Sequence, residues 1–447
     1  MTTPTEPPES GSAKPRRRPI RAATGVIARA RVHLWDTLIG GITEFENGRI
    51  GFSYEADYVE AGVSISPRFL PLKPPRTFEF AELRGMDAFL GLPGVLADSL
   101  PDTFGNLIIR SYFEARGEPD KAMSPVQRLL YVGNRAMGAL EYAPHLQRKT
   151  PEDERALEVK ALVESARKLI EGDTGDAVHE IMRVGGSAGG ARAKALILWD
   201  RDKKRVRSGF ARPKAGESAW MIKFDGVGSA NALDYKAKPF NRIEYTYALL
   251  AKQLDIDMQE VDFIEGENGL FHFITRRFDR TGGHKHHMHS LGGITHVDFN
   301  RPQAYSYEAW FRLILDMQLG YPALEQAYRR MIFNIVGRNQ DDHVKNISFL
   351  MKDKSSGWAL APAYDLTFAA GAGYTRIHQM TVTGRSDGFG RAELVELGKK
   401  FDIRHPDRIL DRTIDTFAGW PALARTWKVP ESGIAAVSEK LRLTLKG

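Results

Sequence analysis

The 447-residue chain contains no cysteine. Disulfides, zinc–thiolate centres and a cysteine nucleophile are therefore excluded, and a cytosolic location fits. There is no uninterrupted apolar run long enough to span a bilayer, so no membrane association is expected. The opening stretch MTTPTEPPESGSAKPRRRP has no apolar segment, and no secretory signal is expected there. No H-E-x-x-H motif and no repeat of solenoid length occurs. Charge of one sign is only slightly in surplus, 63 Lys and Arg against 56 Asp and Glu, a net charge of +7. That balance is compatible with an acidic partner but does not require one.

What is present falls into four regions. Residues 1–24 are rich in Pro, Thr, Ser and Glu and carry Arg16, Arg17 and Arg18. They read as a disordered tail and solvated linker, with contact to phosphate backbones the alternative. Residues 25–145 begin with short alternating strands and an Asn47-Gly48 turn, then become helical with breaks at Pro93 and Pro101. They read as a small α/β module. Residues 146–300 start with a charged connector just after Pro151, whose acidic residues suit the first turn of a helix. The glycine-rich VGGSAGGARA, the strands KALILWD and SAWMIKFDG, the amphipathic helix NRIEYTYALLAKQL and the strand GLFHFITRRFDR follow. Residues 301–447 are mainly helical, interrupted by RNQDDHVKN and by a hairpin formed from ISFLM, the turn KDKSSG and WALAPAYD. The expected class is α+β, with a β-rich lobe followed by a helical one.

The segment RNQDDHVKN poses a chemical question. Phosphoryl transfer needs a carboxylate near the acceptor hydroxyl and oxygen ligands for Mg²⁺. The kinase spacing D-x-x-x-x-N runs from Asp341 to Asn346, whereas Asp342 is one residue too close. Asp341 is thus the candidate base, and Asp342 either supports the loop or faces solvent. Asp365, at the end of the hairpin, is placed to supply a second metal ligand beside Asn346. Lys223 interrupts an apolar strand, as a phosphate-binding lysine does, and Glu244 near the start of the next helix is its candidate partner. Backbone amides of the glycine-rich loop, at Gly186, Ser187, Ala188 and Gly189, are placed to cradle phosphate. Each feature alone has a plain structural reading: a sheet-edge lysine, a surface glutamate, a turn. The glycines match neither a Walker A nor G-x-G-x-x-G. Their order along the chain is the stronger signal. The histidine-rich GGHKHHMHS, His284 to His289, reads as a mobile loop after two glycines rather than a metal site.

These stretches together resemble the HipA family of serine/threonine kinases, the toxins of type II toxin–antitoxin systems. The resemblance runs from GFSYEADYVEAGVSISPRFLPL and GLPGVLADSLPDTFGNLIIR through VGGSAGGARAKALI, AWMIKF and RRFDR to NQDDHVKNISFL and LAPAYDL. It implies a protein-kinase-like two-lobed core, with ATP and Mg²⁺ as cofactors. It implies Asp341 as base, Asn346 and Asp365 on Mg²⁺, and Lys223 on phosphate. His343 and Lys345 would lie beside ATP, Phe278 and Asp279 near adenine and ribose, and Ser187 would be an inactivating autophosphorylation site. Arg276 stands where the family commonly has Glu, which puts a hinge contact in doubt. The implied partners are a HipB-like helix-turn-helix antitoxin, operator DNA reached mainly through it, and a protein substrate such as an aminoacyl-tRNA synthetase. The implied outcome is growth inhibition and persistence. A small-molecule kinase of the aminoglycoside-phosphotransferase sort and a catalytically silent corepressor are the alternatives.

Overall fold

The structure is a computed structural model that describes residues 25–114, 117–118, 123–146, 155–173, 179–184, 192–202, 204–228 and 239–446. The tail at 1–24 and the glycine-rich loop, with Gly186, Ser187, Ala188 and Gly189, lie outside the described residues.

The first unit is a five-stranded antiparallel sheet in the order β4-β3-β2-β1-β5, formed by β1 (Val26–Leu34), β2 (Thr37–Phe45), β3 (Ile50–Tyr54), β4 (Thr77–Phe78) and β5 (Leu140–Ala143). Alternating residues of β1, from Ala28 to Leu34, point into its core. Helices α1 (Ala56–Ala61), α2 (Gly94–Ala97), α3 (Thr103–Glu114) and α4 (Pro125–Val132) complete the unit's chain segment. Helix α4 starts on a capping box at Ser124 and Gln127. Helix α3 behaves differently: its Phe104 and Ile108 pack into the core of the next unit. The apolar packing therefore crosses the boundary expected near residue 145.

That next unit begins with β6 (Ala156–Leu157), α5 (Val159–Glu171) and α6 (His179–Val184). The connector helix starts later than its acidic residues suggest, because Ala156 and Leu157 instead pair with Arg207 and Val206. β7 (Lys194–Asp200), β8 (Arg205–Ser208), β9 (Glu217–Lys223), β10 (Val261–Glu265) and β11 (Phe271–Arg276) join β6 in a sheet ordered β10-β11-β9-β7-β8-β6. Every residue of β7 is buried, the apolar run Ala195–Trp199 together with the charged residues at its ends, Lys194 and Asp200. Helix α7 (Phe240–Gln253) packs on β11.

The helical unit opens with the short hairpin of β12 (Arg280–Thr281) and β13 (His284–Lys285) and with β14 (His287–Ser290). β14 pairs with β15 (Ser348–Met351), which pairs with β16 (Trp358–Leu360). Residues from 287 onward thus belong to the second lobe's sheet rather than the first lobe. Helices α8 (Leu291–Thr295), α9 (Tyr307–Asp316), α10 (Gly320–Val336), α11 (Arg391–Lys400), α12 (Pro406–Ala418), α13 (Trp420–Thr426) and α14 (Glu431–Ser438) follow in chain order around the two hairpin strands. The core of this lobe gathers Trp310, Phe311, Tyr328, Phe333, Phe417 and Trp420. Among the described residues no helix is long and apolar enough to cross a membrane.

Candidate active site

Helix α10 ends at Val336, and the chain reverses through Arg338, whose φ is 55°. Backbone bonds then tie this turn to Ala369: the Gln340 amide donates to its carbonyl at 3.0 Å, and its amide donates to Arg338 at 3.1 Å. On the loop so held, adjacent aspartates point to opposite environments. The Asp342 carboxylate is buried and accepts from Tyr307 Oη (2.7 Å) and the Gln379 amide (2.7 Å), with His378 Nδ1 at 2.8 Å. It supports the loop, and the solvent-facing alternative is ruled out. The Asp341 side chain is 42% exposed, with His343 Nε2 3.6 Å away. It accepts no hydrogen bond among the described residues. Burial of most of its surroundings and the carboxylates of Asp365 and Asp342 raise its pKa above the ordinary aspartate value, against the lowering effect of His343. Asn346 donates its Nδ2–H to the Asp341 carbonyl at 2.9 Å.

The other half of the site comes from the β-rich lobe. Lys223 ends β9, and its ammonium donates to Glu244 Oε1 at 2.6 Å and to the Asp365 carboxylate. Burial alone would depress the Lys223 pKa, but these two carboxylates outweigh it and the net direction is upward. Glu244 is itself buried on α7, with Arg192 Nη1 3.6 Å away. Asn241, one turn earlier, fixes the helix to the sheet by donating to the Lys223 and Phe271 carbonyls. Asp365 sits in the left-handed region at φ 53°, where aspartate is better tolerated than most residues. Lys223 holds its pKa below the usual carboxylate value although burial pushes the other way.

Tyr364 connects the two halves of the second lobe. Its hydroxyl donates to the Lys345 carbonyl and meets Ser348 Oγ, each at 2.7 Å. Phe278 packs against the Tyr364 ring at a centroid distance of 5.5 Å, beside the site. Its neighbour Asp279 does not face the site. That carboxylate is fully buried and bound by Arg277, Arg280 and the Gly138 amide. It is consumed by the fold, which corrects its expected place beside ribose. Arg276 lies 3.6 Å from Glu260 on the sheet surface. Lys345 is drawn away toward Asp98 of the first unit, at 2.8 Å. The histidine-rich segment is also a seam rather than a mobile loop. Gly282 and Gly283 turn the hairpin with positive φ (55° and 87°), His287 Nε2 meets the Ile65 carbonyl at 2.8 Å, and His289 sits between Ser66 and Asp98.

The hard oxygens of Asp365 and Asn346 are the donor type Mg²⁺ prefers. His343 Nδ1 is buried and takes no hydrogen bond among the described residues. The residues present therefore fit a metal–nucleotide ligand. Asp98, Asp102, Arg192, Asn241 and Tyr364 were not singled out from sequence. Only Asp98 and Asp102 carried a visible cue, as acids in the apolar stretch GVLADSLPD.

A β-rich lobe and a helical lobe meeting at a lysine–glutamate pair and a D-x-x-x-x-N loop define a kinase-like two-lobed fold. Residues 186–420 match the HipA-like C-terminal domain, and residues 30–143 match the HipA N-terminal domain. The chain belongs to the HipA family. A solved structure of HipA from the Shewanella oneidensis MR-1 toxin–antitoxin system, in complex with HipB and operator DNA, resembles it with a TM-score of 0.62 and 16% identity over 93% of this chain and 96% of that one. The Helicobacter pylori proinflammatory kinase CtkA gives a TM-score of 0.36 and 11% identity over 58% of this chain and 92% of that one, too slight a likeness to place residues. No curated protein matches the sequence.

Proposed function

We propose that the chain is a HipA-type toxin: a protein serine/threonine kinase that uses ATP and Mg²⁺. The observation that carries this reading is the contact of Lys223 with both Glu244 and Asp365, beside a loop that leaves the Asp341 carboxylate free of hydrogen bonds among the described residues. In the proposed reaction Lys223 holds phosphate oxygens, and Glu244 keeps its ammonium oriented. Asp341 orients the acceptor hydroxyl and takes its proton. Asn346 and Asp365 would hold Mg²⁺, which when bound neutralises charge on the phosphates. By likeness to the family, His343 would lie beside the nucleotide. A raised pKa suits Asp341 to the base role, because a stronger base accepts a proton more readily.

By likeness to the family, the substrate is a translation component such as an aminoacyl-tRNA synthetase, and its phosphorylation slows growth. A HipB-like antitoxin would neutralise the kinase and carry it to operator DNA, as HipB accompanies HipA in the Shewanella complex. The test is labelled-phosphate transfer in the presence of MgATP. Asp341→Asn is expected to lower transfer about 10²–10⁴-fold, and mass spectrometry of the active wild type is expected to find phosphate on Ser187. Equal transfer by wild type and Asp341→Asn, or label on an antibiotic and none on protein, would refute the reading.

A further inference from the structure

The loop between α2 and α3 reaches both lobes of the kinase-like core. Asp98 follows α2 and Asp102 precedes α3, with Ser99, Leu100 and Pro101 between them. Asp98 engages the helical lobe. One carboxylate oxygen accepts from Lys345 Nζ (2.8 Å) and Ser290 Oγ (2.6 Å), and the other from the Ser290 amide (2.7 Å), with His289 Nδ1 at 2.8 Å. Lys345 immediately precedes the proposed metal ligand Asn346. Asp102 engages the β-rich lobe. It caps α3 through the Gly105 amide (2.7 Å) and forms an ion pair with Lys194 at 2.8 Å. Both members of that pair are buried, at 6% and 4% side-chain exposure. Lys194 lies directly across the sheet from Lys223, as its register partner.

Chain geometry makes this arrangement a constraint. Four residue steps span at most roughly 14 Å when fully extended, and Pro101 removes one backbone freedom within them. Packing reinforces both ends. Phe104 and Ile108 sit in the β-rich lobe's core. Gly94 of α2 touches α8 so closely that an added Cβ would lie 2.0 Å from the Gly293 carbonyl oxygen. A buried ion pair is costly to break from one side, because the remaining charge is left uncompensated.

We propose that the α2–α3 loop is an interlobe brace, in which Asp98 and Asp102 act as positioning residues. They set the distance between Lys223 on one lobe and the Asp341–Asn346 loop on the other. The effect on phosphate transfer rests on the kinase reading above, whereas the effect on lobe geometry does not. Misplacing reacting groups by about an ångström can lower turnover on the order of 10²-fold.

Because the chain has no cysteine, spin labels on Asp202→Cys in the first lobe and Glu396→Cys in the second are unique. Both positions are exposed. Pulsed electron resonance on the full chain is expected to give one narrow interlobe distance in the parent and broadened distances in Asp98→Asn and Asp102→Asn. In the same variants turnover is expected to fall on the order of 10²-fold, while the KM for ATP moves less than about threefold. If Asp102→Asn fails to fold, the paired change Asp102→Leu with Lys194→Met removes both charges and is expected to fold with broadened distances. Unchanged narrow distances in the folded variants overturn the brace, and a normally active parent then leaves the kinase reading intact. Broadened distances with no phosphate transfer from any form, the parent included, uphold the brace and defeat the kinase reading.

Discussion

Two polar segments of this chain look alike in sequence and do opposite things. RRFDRTGGHKHHMHS, residues 276–290, and RNQDDHVKN, residues 338–346, are both dense in charged and polar residues. In the first, the fold uses up most of the hydrogen-bonding groups, with His287 Nδ1 left over among the described residues. Asp279 is clasped by two arginines and an amide, and Arg280 donates to the carbonyls of Gly138 and Ala136. Lys285 bonds Glu141 and the Asn134 carbonyl. In the second, Asp342 is committed in the same way, but Asp341 and His343 Nδ1 are left without hydrogen bonds among the described residues. Polar density alone does not separate a seam from a site. A solvent-reachable carboxylate without a hydrogen bond among the described residues, as at Asp341, does.

The sharpest way to break this contrast is Asp279→Asn. It removes the charge opposite two buried guanidinium groups, and breaking such a cluster from one side costs about 3–5 kcal/mol. A large fall in Tm is expected, and an unchanged Tm would mean the seam is not holding the first unit on. Next comes Asp342→Asn, which turns an amide toward Tyr307 or His378 and is expected to cost about 1–3 kcal/mol. Its phosphate transfer at low temperature should remain well above that of Asp341→Asn. Equal losses in the two variants would show that both aspartates serve chemistry.

The smallest effect should appear as a slope with pH. Burial lowers the pKa values of His287 in the seam, and of His296, whose Nε2 accepts from the Gly94 amide and whose ring stacks on Phe69, to about 4 from an ordinary 6.5. His272, in the β-rich lobe, is lowered to about 4 in the same way. Between those values the unfolded chain binds more protons than the folded one, so stability is full above about 6.5 and drains as pH falls toward 4. Chemical denaturation at several pH values measures this. His287→Asn should flatten part of the slope, and no change in slope would place the protonation elsewhere.

Much of the frame was legible from local pattern. The strand KALILWD is present, the strand in SAWMIKFDG is present but ends at Lys223 instead of running past it, and Lys223 and Glu244 do meet. The helical breaks at Pro93 and Pro101 and the hairpin before Asp365 also appear. Those features depend on neighbours along the chain. What escaped depends on partners far away in sequence. Whether Asp279 faces a ligand or the core is decided by Gly138, 141 residues earlier. Lys345 is claimed by Asp98, 247 residues earlier. The acidic connector does not start its helix on its charges because Ala156 and Leu157 find a strand partner in β8.

The near contact of Gly94 with Gly293 has a bearing on inheritance. Two backbones that meet without side chains between them leave no room for a residue changed on one side alone. Exchange of the first unit between relatives would have to bring together a matched pair of glycines, together with acid–lysine partners on both lobes. Recombination within this chain would therefore be tolerated at its loop tips more readily than at the junction between its two family domains.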